Sequence, residues 1–191
     1  MLFNSIDFII FFVIILAIIS AIRYRKFQHV FLLTASYFFF YYSSNYLITL
    51  LIASTILDFY IGKAIWSSTN ITKKKILLSV SLVGNLGLLG FFKYADFAVT
   101  QFNLFGNHFN LTSQIPLLEL ALPIGISFYT FQTISYTVDI YRGHLSPSKT
   151  LKEFALFVAF FPQLVAGPIV RAKDFLPQLR EKIDEFETGT K

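Results

Sequence analysis

Apolar residues in this chain occur in runs long enough to cross a lipid bilayer, and this feature constrains the fold more than any other. A helix needs about 20 mostly apolar residues to cross the hydrocarbon core. Only 14% of the residues are charged, against about 25% in soluble domains. The sequence therefore predicts an all-α integral membrane protein. Five apolar runs cover approximately residues 3–22, 30–42, 47–65, 76–92 and 117–141, and a sixth, 154–170, is interrupted by Pro162 and Gly167-Pro168.

Basic residues predict the orientation of these runs. None precedes the first run, and Arg23, Arg25 and Lys26 follow it, so the positive-inside rule places the N-terminus outside. If the sixth run enters and leaves on the same side, every Lys and Arg except Lys93 lies in the cytoplasm. A fully spanning helix at 154–170 would instead place several basic residues outside.

These considerations predict one transmembrane region, residues 1–191, with about five spans and a re-entrant hairpin broken by Pro and Gly. Residues 93–114 form an outer loop, 154–170 the re-entrant segment and 173–191 a cytoplasmic tail. A kinked helix that spans the membrane fully is the alternative for 154–170. Irregular backbone at membrane depth persists only where protein or a water-filled cavity satisfies it, so a re-entrant segment would line a functional interior.

Composition excludes several kinds of site. The chain has no cysteine and a net charge of +5. Its histidines, His29, His108 and His144, are scattered without the spacing of metal ligands. Because the basic residues flank apolar runs, topology explains the charge, and we expect no metal site and no nucleic-acid partner.

The segment from residue 121 to 143 is unusually polar for a membrane span. On a helix, most of its hydroxyl, amide and carboxylate groups fall on one arc and its large apolar residues on the other. An ionisable residue within a span costs about 2.5–3.5 kcal/mol on insertion scales and by default faces a partner or a cavity. We therefore predict that the polar arc lines an interior; the alternative is that Asp139 pairs with Arg142 in the headgroup region. The arc comprises Tyr129, Thr130, Gln132, Thr133, Tyr136, Thr137, Asp139 and Tyr141.

Two further polar residues lie within apolar runs. Asp58 is expected to pair with Lys63 or Lys93, or to reach the membrane surface.

Asn85 lies among Gly84, Gly87 and Gly90. It is expected to make one interhelical hydrogen bond where helices pack closely.

Further along, the residues from Pro123 to Gly125 fit a helix start.

Two stretches resemble the membrane-bound O-acyltransferase family: LPIGISFYTFQTISYTVDIYRG (122–143) and FFPQLVAGPIVRAKDFLPQL (160–179). The similarity is closest to the branch of the alginate O-acetyltransferase membrane subunit, and FFKYADF (91–97) fits that branch. The resemblance is collinear over essentially the whole chain. It implies the N-terminal portion of a longer helical membrane domain.

Details of the second stretch indicate which branch of the family the chain resembles. The intact AGPIVR of residues 166–171 favours polysaccharide O-acetylation over teichoic acid D-alanylation, while peptidoglycan O-acetylation remains a second alternative. Gln163 stands where the alginate enzymes tend to have a histidine, which weakens the case for alginate itself.

The resemblance implies an acyl relay in the bacterial inner membrane. A cytoplasmic donor, acetyl-CoA or another acyl donor, would be a substrate, and no cofactor would be bound. The expected partners are membrane lipid, a periplasmic or extracellular acyltransferase protein, and a polysaccharide acceptor reached indirectly. The family's catalytic histidine has no match here, so we expect no catalytic residue within 1–191 and no activity from this chain alone.

The expected site residues combine the polar arc with two arginines, which are either anchors for donor phosphates or ordinary positive-inside flanks. A transporter or channel subunit is the alternative function, although the sequence shows no inverted repeat. The expected cavity lining is Tyr129, Gln132, Thr133, Tyr136, Asp139, Arg142 and Arg171, and the expected re-entrant turn is Pro162, Gly167 and Pro168.

Overall fold

A computed structural model describes residues 5–22, 24–108, 115–120, 122–166 and 170–179. Within these ranges every regular element is helical, which confirms the all-α prediction. The elements are α1 (Ile6–Ala21), α2 (Arg25–Ser44), a 3₁₀ turn (Asn45–Leu47), α3 (Ile48–Ser67), α4 (Ile71–His108), α5 (Ile126–Tyr141), α6 (Leu151–Ala159), α7 (Phe161–Ala166) and α8 (Ala172–Gln178).

Two helical stretches are long and apolar enough to cross a membrane, Lys26–Ser67 and Ile71–Gly106, and Ile6–Ala21 is a shorter apolar helix. The first stretch is broken at Asn45, where φ is 51°, between the predicted apolar runs 30–42 and 47–65. Both α2 and α3 pack against the short helix α6, so the chain bends at this break. Many large apolar side chains of α1 and α4 are exposed, as suits a surface that faces lipid.

Helix α4 is longer than predicted, because it continues through Lys93 to His108. The side of the membrane on which residues 93–114 lie stays a prediction. Beyond α4, an extended segment runs back along its end. Asn103 exchanges two hydrogen bonds with the backbone of Ile115, of 2.8 and 2.9 Å, and the Leu118 N–H donates to Asp96 Oδ1 over 2.7 Å.

The fifth helix is shorter than the predicted run, because it begins only at Ile126. Gly125 precedes it with φ of 73°, a left-handed conformation that favours glycine. The predicted helix start at Pro123–Gly125 is therefore confirmed. The Ile124 N–H donates to Ser44 Oγ over 3.0 Å, which ties this start to the end of α2.

The run at 154–170 is divided between two short helices. Helix α6 ends at Ala159, and α7 carries Pro162 in its first turn, where the missing N–H costs no helical hydrogen bond. The Phe161 N–H donates to Ser36 Oγ of α2 over 3.3 Å. Gly167 and Pro168, the other predicted turn residues, lie outside the described residues.

Two apolar clusters hold the helices together. The larger joins side chains of α2, α3, α5, α6 and α8. The smaller centres on Phe161, whose ring lies 5.3 Å from that of Phe11 and 5.8 Å from that of Phe39. It attaches α1 to α2 and α7. Helix α5 lies in the larger cluster and contacts α3, α4, α6 and α8.

Candidate functional site

Helix α5 turns its polar arc inward. Gln132 is 1% exposed and Asp139 is 7% exposed, whereas Phe131 on the opposite side is 46% exposed. The hydroxyl residues of the arc, Tyr129, Thr130, Thr133, Tyr136 and Thr137, are also buried. The structure thus confirms that the polar side of this segment faces the interior of the bundle.

One part of this buried face is hydrogen-bonded to α4. Thr133 Oγ1 lies 3.1 Å from Asn85 Oδ1 and donates to it. Thr137 Oγ1 shares a hydrogen bond of 3.2 Å with Ser81 Oγ. Since Ser81 and Asn85 are four residues apart, as are Thr133 and Thr137, adjacent turns of the two helices meet in register.

Asp58 of α3 completes this network. Its Oδ1 accepts from Ser81 Oγ over 2.5 Å, and its Oδ2 accepts from Asn85 Nδ2 over 2.7 Å. The carboxylate is fully buried. The predicted pairing with Lys63 or Lys93 is therefore wrong.

Each of these lysines lies over an aromatic ring instead. The Lys63 ammonium is 4.3 Å from the ring centre of Phe59, and the Lys93 ammonium is 5.5 Å from that of Tyr94. In place of a lysine, Asp58 has two neutral donors on α4, which satisfy a buried carboxylate without a second charge.

The single hydrogen bond expected for Asn85 is an underestimate, because its amide bonds to both α3 and α5. The neighbouring glycines matter less than predicted. A Cβ at Gly84 would meet Leu57 at 3.6 Å, and one at Gly87 or Gly90 would meet nothing within 4 Å. A close helix contact lies instead at Gly62 of α3, beside α5.

Tyr136 connects this contact to the loop after α5. Its hydroxyl accepts from the Ser148 N–H over 3.1 Å, and its ring centre lies 4.2 Å from that of Phe154. A Cβ at Gly62 would approach Tyr136 Cε1 to 2.8 Å. Tyr136 therefore has a structural role in the described fold.

The remaining part of the face has buried polar atoms without a hydrogen-bond partner among the described residues. They are Tyr129 Oη, Thr130 Oγ1, both amide atoms of Gln132 and Asp139 Oδ2. Burying such groups unpaired costs free energy, about 1–3 kcal/mol for each neutral group. These groups can accept and donate hydrogen bonds to a ligand, to water or to further polypeptide. This unbonded half of the face is the candidate site.

The two arginines expected at the site are not joined to this face. Arg142 caps α5 and Arg171 precedes α8, and both are exposed. In the described part of the chain no ion pair joins Asp139 to Arg142, so the alternative pairing is not observed. The same part of the chain contains no cluster of residues able to hold a metal ion.

Sequence reasoning missed the Asp58–Ser81–Asn85 arrangement. Two signals were present: the four-residue spacing of Ser81 and Asn85, and the four-residue spacing of Thr133 and Thr137 on the polar arc. Spacing alone does not show which helices are neighbours, however, so it could not assign Asp58 to this network.

Known proteins of similar sequence support the resemblance. The chain is 35% identical to a probable alginate O-acetylase AlgI of Pseudomonas putida, over 99% of this chain and 40% of the relative. The Pseudomonas aeruginosa protein of the same description is also 35% identical, over 99% of this chain and 37% of its own length. The chain belongs to the membrane-bound O-acyltransferase family.

A peptidoglycan O-acetyltransferase of Helicobacter pylori is 33% identical over 72% of this chain and 30% of its own length. The description of this relative names peptidoglycan, and not alginate, as the acceptor. The chain thus spans 40% or less of the length of these curated relatives. No family profile matches the chain, and no solved structure does.

The position expected from the sequence to depart from the alginate branch lies inside the bundle. Gln163 is on α7 and is buried. The significance of this residue for acceptor choice stays a prediction.

Proposed function

We propose that this chain forms part of a membrane O-acyltransferase that acetylates a cell-envelope or extracellular polysaccharide. Acetyl groups from a cytoplasmic donor such as acetyl-CoA cross the membrane through the protein, and a periplasmic or extracellular partner transfers them to sugar hydroxyls. The similarity over 99% of the chain to alginate O-acetylases is the observation that carries this proposal.

The unbonded half of the α5 face supports the acyl relay. An acetyl thioester or ester has a polarised carbonyl, which Gln132 and Tyr129 can contact through hydrogen-bond donors, and Asp139 is an acceptor for a hydroxyl or a water. These side chains line one wall of the passage in our proposal. No residue of the chain is assigned as a catalytic nucleophile or base, so residues 1–191 alone are expected to transfer no acetyl group.

We further propose about five membrane spans, an outer N-terminus and a re-entrant segment, in the bacterial inner membrane. At 1.5 Å per residue, α6 with 9 residues and α7 with 6 residues are about 14 and 9 Å long. The hydrocarbon core is about 30 Å thick. Neither helix is long enough to cross it, which supports a hairpin over a spanning helix in this segment.

A second acceptor is favoured by one observation. The Helicobacter pylori relative is a peptidoglycan O-acetyltransferase, so peptidoglycan is the alternative to an alginate-like polysaccharide.

The test is acetyl ester content. In a full-length form, the protein is produced in an alginate-forming bacterium that lacks its own O-acetylase, and esters are measured on both alginate and peptidoglycan. We expect Asp139→Leu to lower ester content at least about tenfold, since it removes a buried polar group from the proposed passage. Val138→Leu, on the neighbouring apolar side of α5, is the matched control and should retain full activity at the same membrane level.

Two results would count against the proposal. No ester on either polymer with the unchanged full-length form would refute the acyltransferase function. Equal activity of the two variants would refute the role of the α5 face.

A further inference from the structure

A basic groove lies at the end of the bundle where α2 and α6 begin. Three lysines, Lys26, Lys149 and Lys152, surround a space of about 370 Å³, together with His29 and Glu153. Lys26 and His29 are more than 100 positions away in sequence from the other three. The fold alone therefore brings this charge together, on the side where the other basic loops are predicted to lie.

One helix N-terminus adds to the positive charge. Helix α2 starts at Arg25 without a side-chain cap and without an acidic residue in its first turn, whereas α6, which starts at Leu151, is capped by Thr150 and has Glu153 in its first turn. The free N–H groups at a helix start carry a partial positive charge that favours anions. Lysines at such positions gain nothing from the helix dipole. Besides their role in topology, they leave positive charge available to an external anion.

The one carboxylate of the groove accepts a hydrogen bond from its own loop, since Ser148 Oγ donates to Glu153 Oε2 over 3.4 Å. No described residue forms an ion pair or hydrogen bond with the side chains of the three groove lysines. The groove thus combines three lysine charges with one carboxylate.

We propose that the basic groove binds a phosphate group carried at the membrane surface, on an anionic phospholipid or on a soluble phosphate-bearing acyl donor. Lysine binds phosphate as a compact point charge on a flexible stem. Basic pockets between membrane helices suit anionic headgroups. The donor alternative rests on the function proposed above, whereas the lipid alternative does not.

The test uses the protein in phosphatidylcholine nanodiscs at low salt. Coenzyme A affinity is measured by calorimetry, and retention of phosphatidylglycerol over phosphatidylcholine by native mass spectrometry. A groove variant has Lys26, Lys149 and Lys152 changed to Gln; a control variant has Lys73, Lys74 and Lys75, at the start of α4, changed to Gln. The two variants lose the same charge.

We expect the groove variant to bind its phosphate-bearing ligand, coenzyme A or phosphatidylglycerol, at least about tenfold more weakly. Each basic residue near an anionic surface contributes on the order of 1 kcal/mol. The control variant should change by less than about twofold. Changing the same three groove lysines to Arg keeps the charge and should keep binding. Lys149→Gln alone, at an exposed position, gives a graded loss in a variant whose fold is unaffected.

Loss of coenzyme A affinity alone identifies the soluble donor as the ligand, and loss of phosphatidylglycerol alone identifies the lipid; both losses indicate a shared site. Unchanged binding by the groove variant, or equal loss in groove and control variants, would overturn the proposal. Loss of binding by the Arg variant would overturn it as well. Because binding is measured without turnover, a failure to observe acetyl transfer does not affect this result.

Discussion

Gly62 is the position where a single methyl group should have the largest effect on the packing of α3 against α5. Its added Cβ would lie 2.8 Å from Tyr136 Cε1 and 2.9 Å from Ile140 Cδ1. The Ile140 methyl is at the end of a flexible chain and can move. The Tyr136 ring cannot move easily, because Phe154 packs on it and its hydroxyl accepts from Ser148.

The expected cost of Gly62→Ala follows from these contacts. Overpacking costs about 1–3 kcal/mol, and displacement of the tyrosine hydroxyl from Ser148 costs about 1 kcal/mol more. Ala in place of Gly within a helix returns about 1 kcal/mol. The free energy of unfolding should therefore fall by about 1–3 kcal/mol.

Gly87→Ala is the matched control, because nothing lies within 4 Å of its added Cβ. It receives the helix-propensity gain without the clash, so the two variants should differ by about 2–4 kcal/mol. Reversible unfolding of the purified protein in mixed detergent measures this difference. A second test combines Gly62→Ala with Tyr136→Leu, which removes the ring and should recover part of the loss. Equal stability of the two alanine variants would refute the packing inferred here.

Two further predictions concern the interior network and the topology. Asp58→Leu should lower the free energy of unfolding by about 1–3 kcal/mol, because it leaves the donors on α4 without their acceptor, and Asp58→Asn should lower it less. The same unfolding assay measures both variants. Unchanged stability of Asp58→Leu would contradict the network. A cysteine at Gln101 should react with an impermeant thiol reagent in intact cells and one at Ser146 should not; the reverse pattern would invert the predicted orientation.

The class of fold followed from the sequence because apolar run length is a local property. The inward orientation of α5 was also predictable, since hydrophobic and polar residues separate on a single helix without reference to neighbours. Element ends were harder to predict. The polar residues after Phe92 suggested a loop, yet the helix continues to His108, because a helix backbone satisfies its own hydrogen bonds whatever its side chains are.

Contacts between distant segments could not be read from the sequence. Asp58 was expected to pair with Lys63, five residues away, or with Lys93 at the end of the next apolar run, and the structure gives it two neutral donors on α4. The basic groove is a similar case, since Lys26 meets Lys149 only after α2 and α6 pack together. Charge pairing depends on which helices are neighbours, and a single sequence does not specify that.

The extended segment that runs back along the end of α4 has the same length as the part of the helix to which it is hydrogen-bonded. From Asp96 to Asn103 the helix rises about 10.5 Å at 1.5 Å per residue, and from Ile115 to Leu118 an extended chain covers about 10–11 Å. Both ends can therefore bond at once, seven helical residues against three extended ones. Substitution within the segment leaves this match intact, whereas insertion of a single residue adds about 3.5 Å and leaves only one end able to bond. Natural variation at this point should thus change residue type freely while it conserves the number of residues.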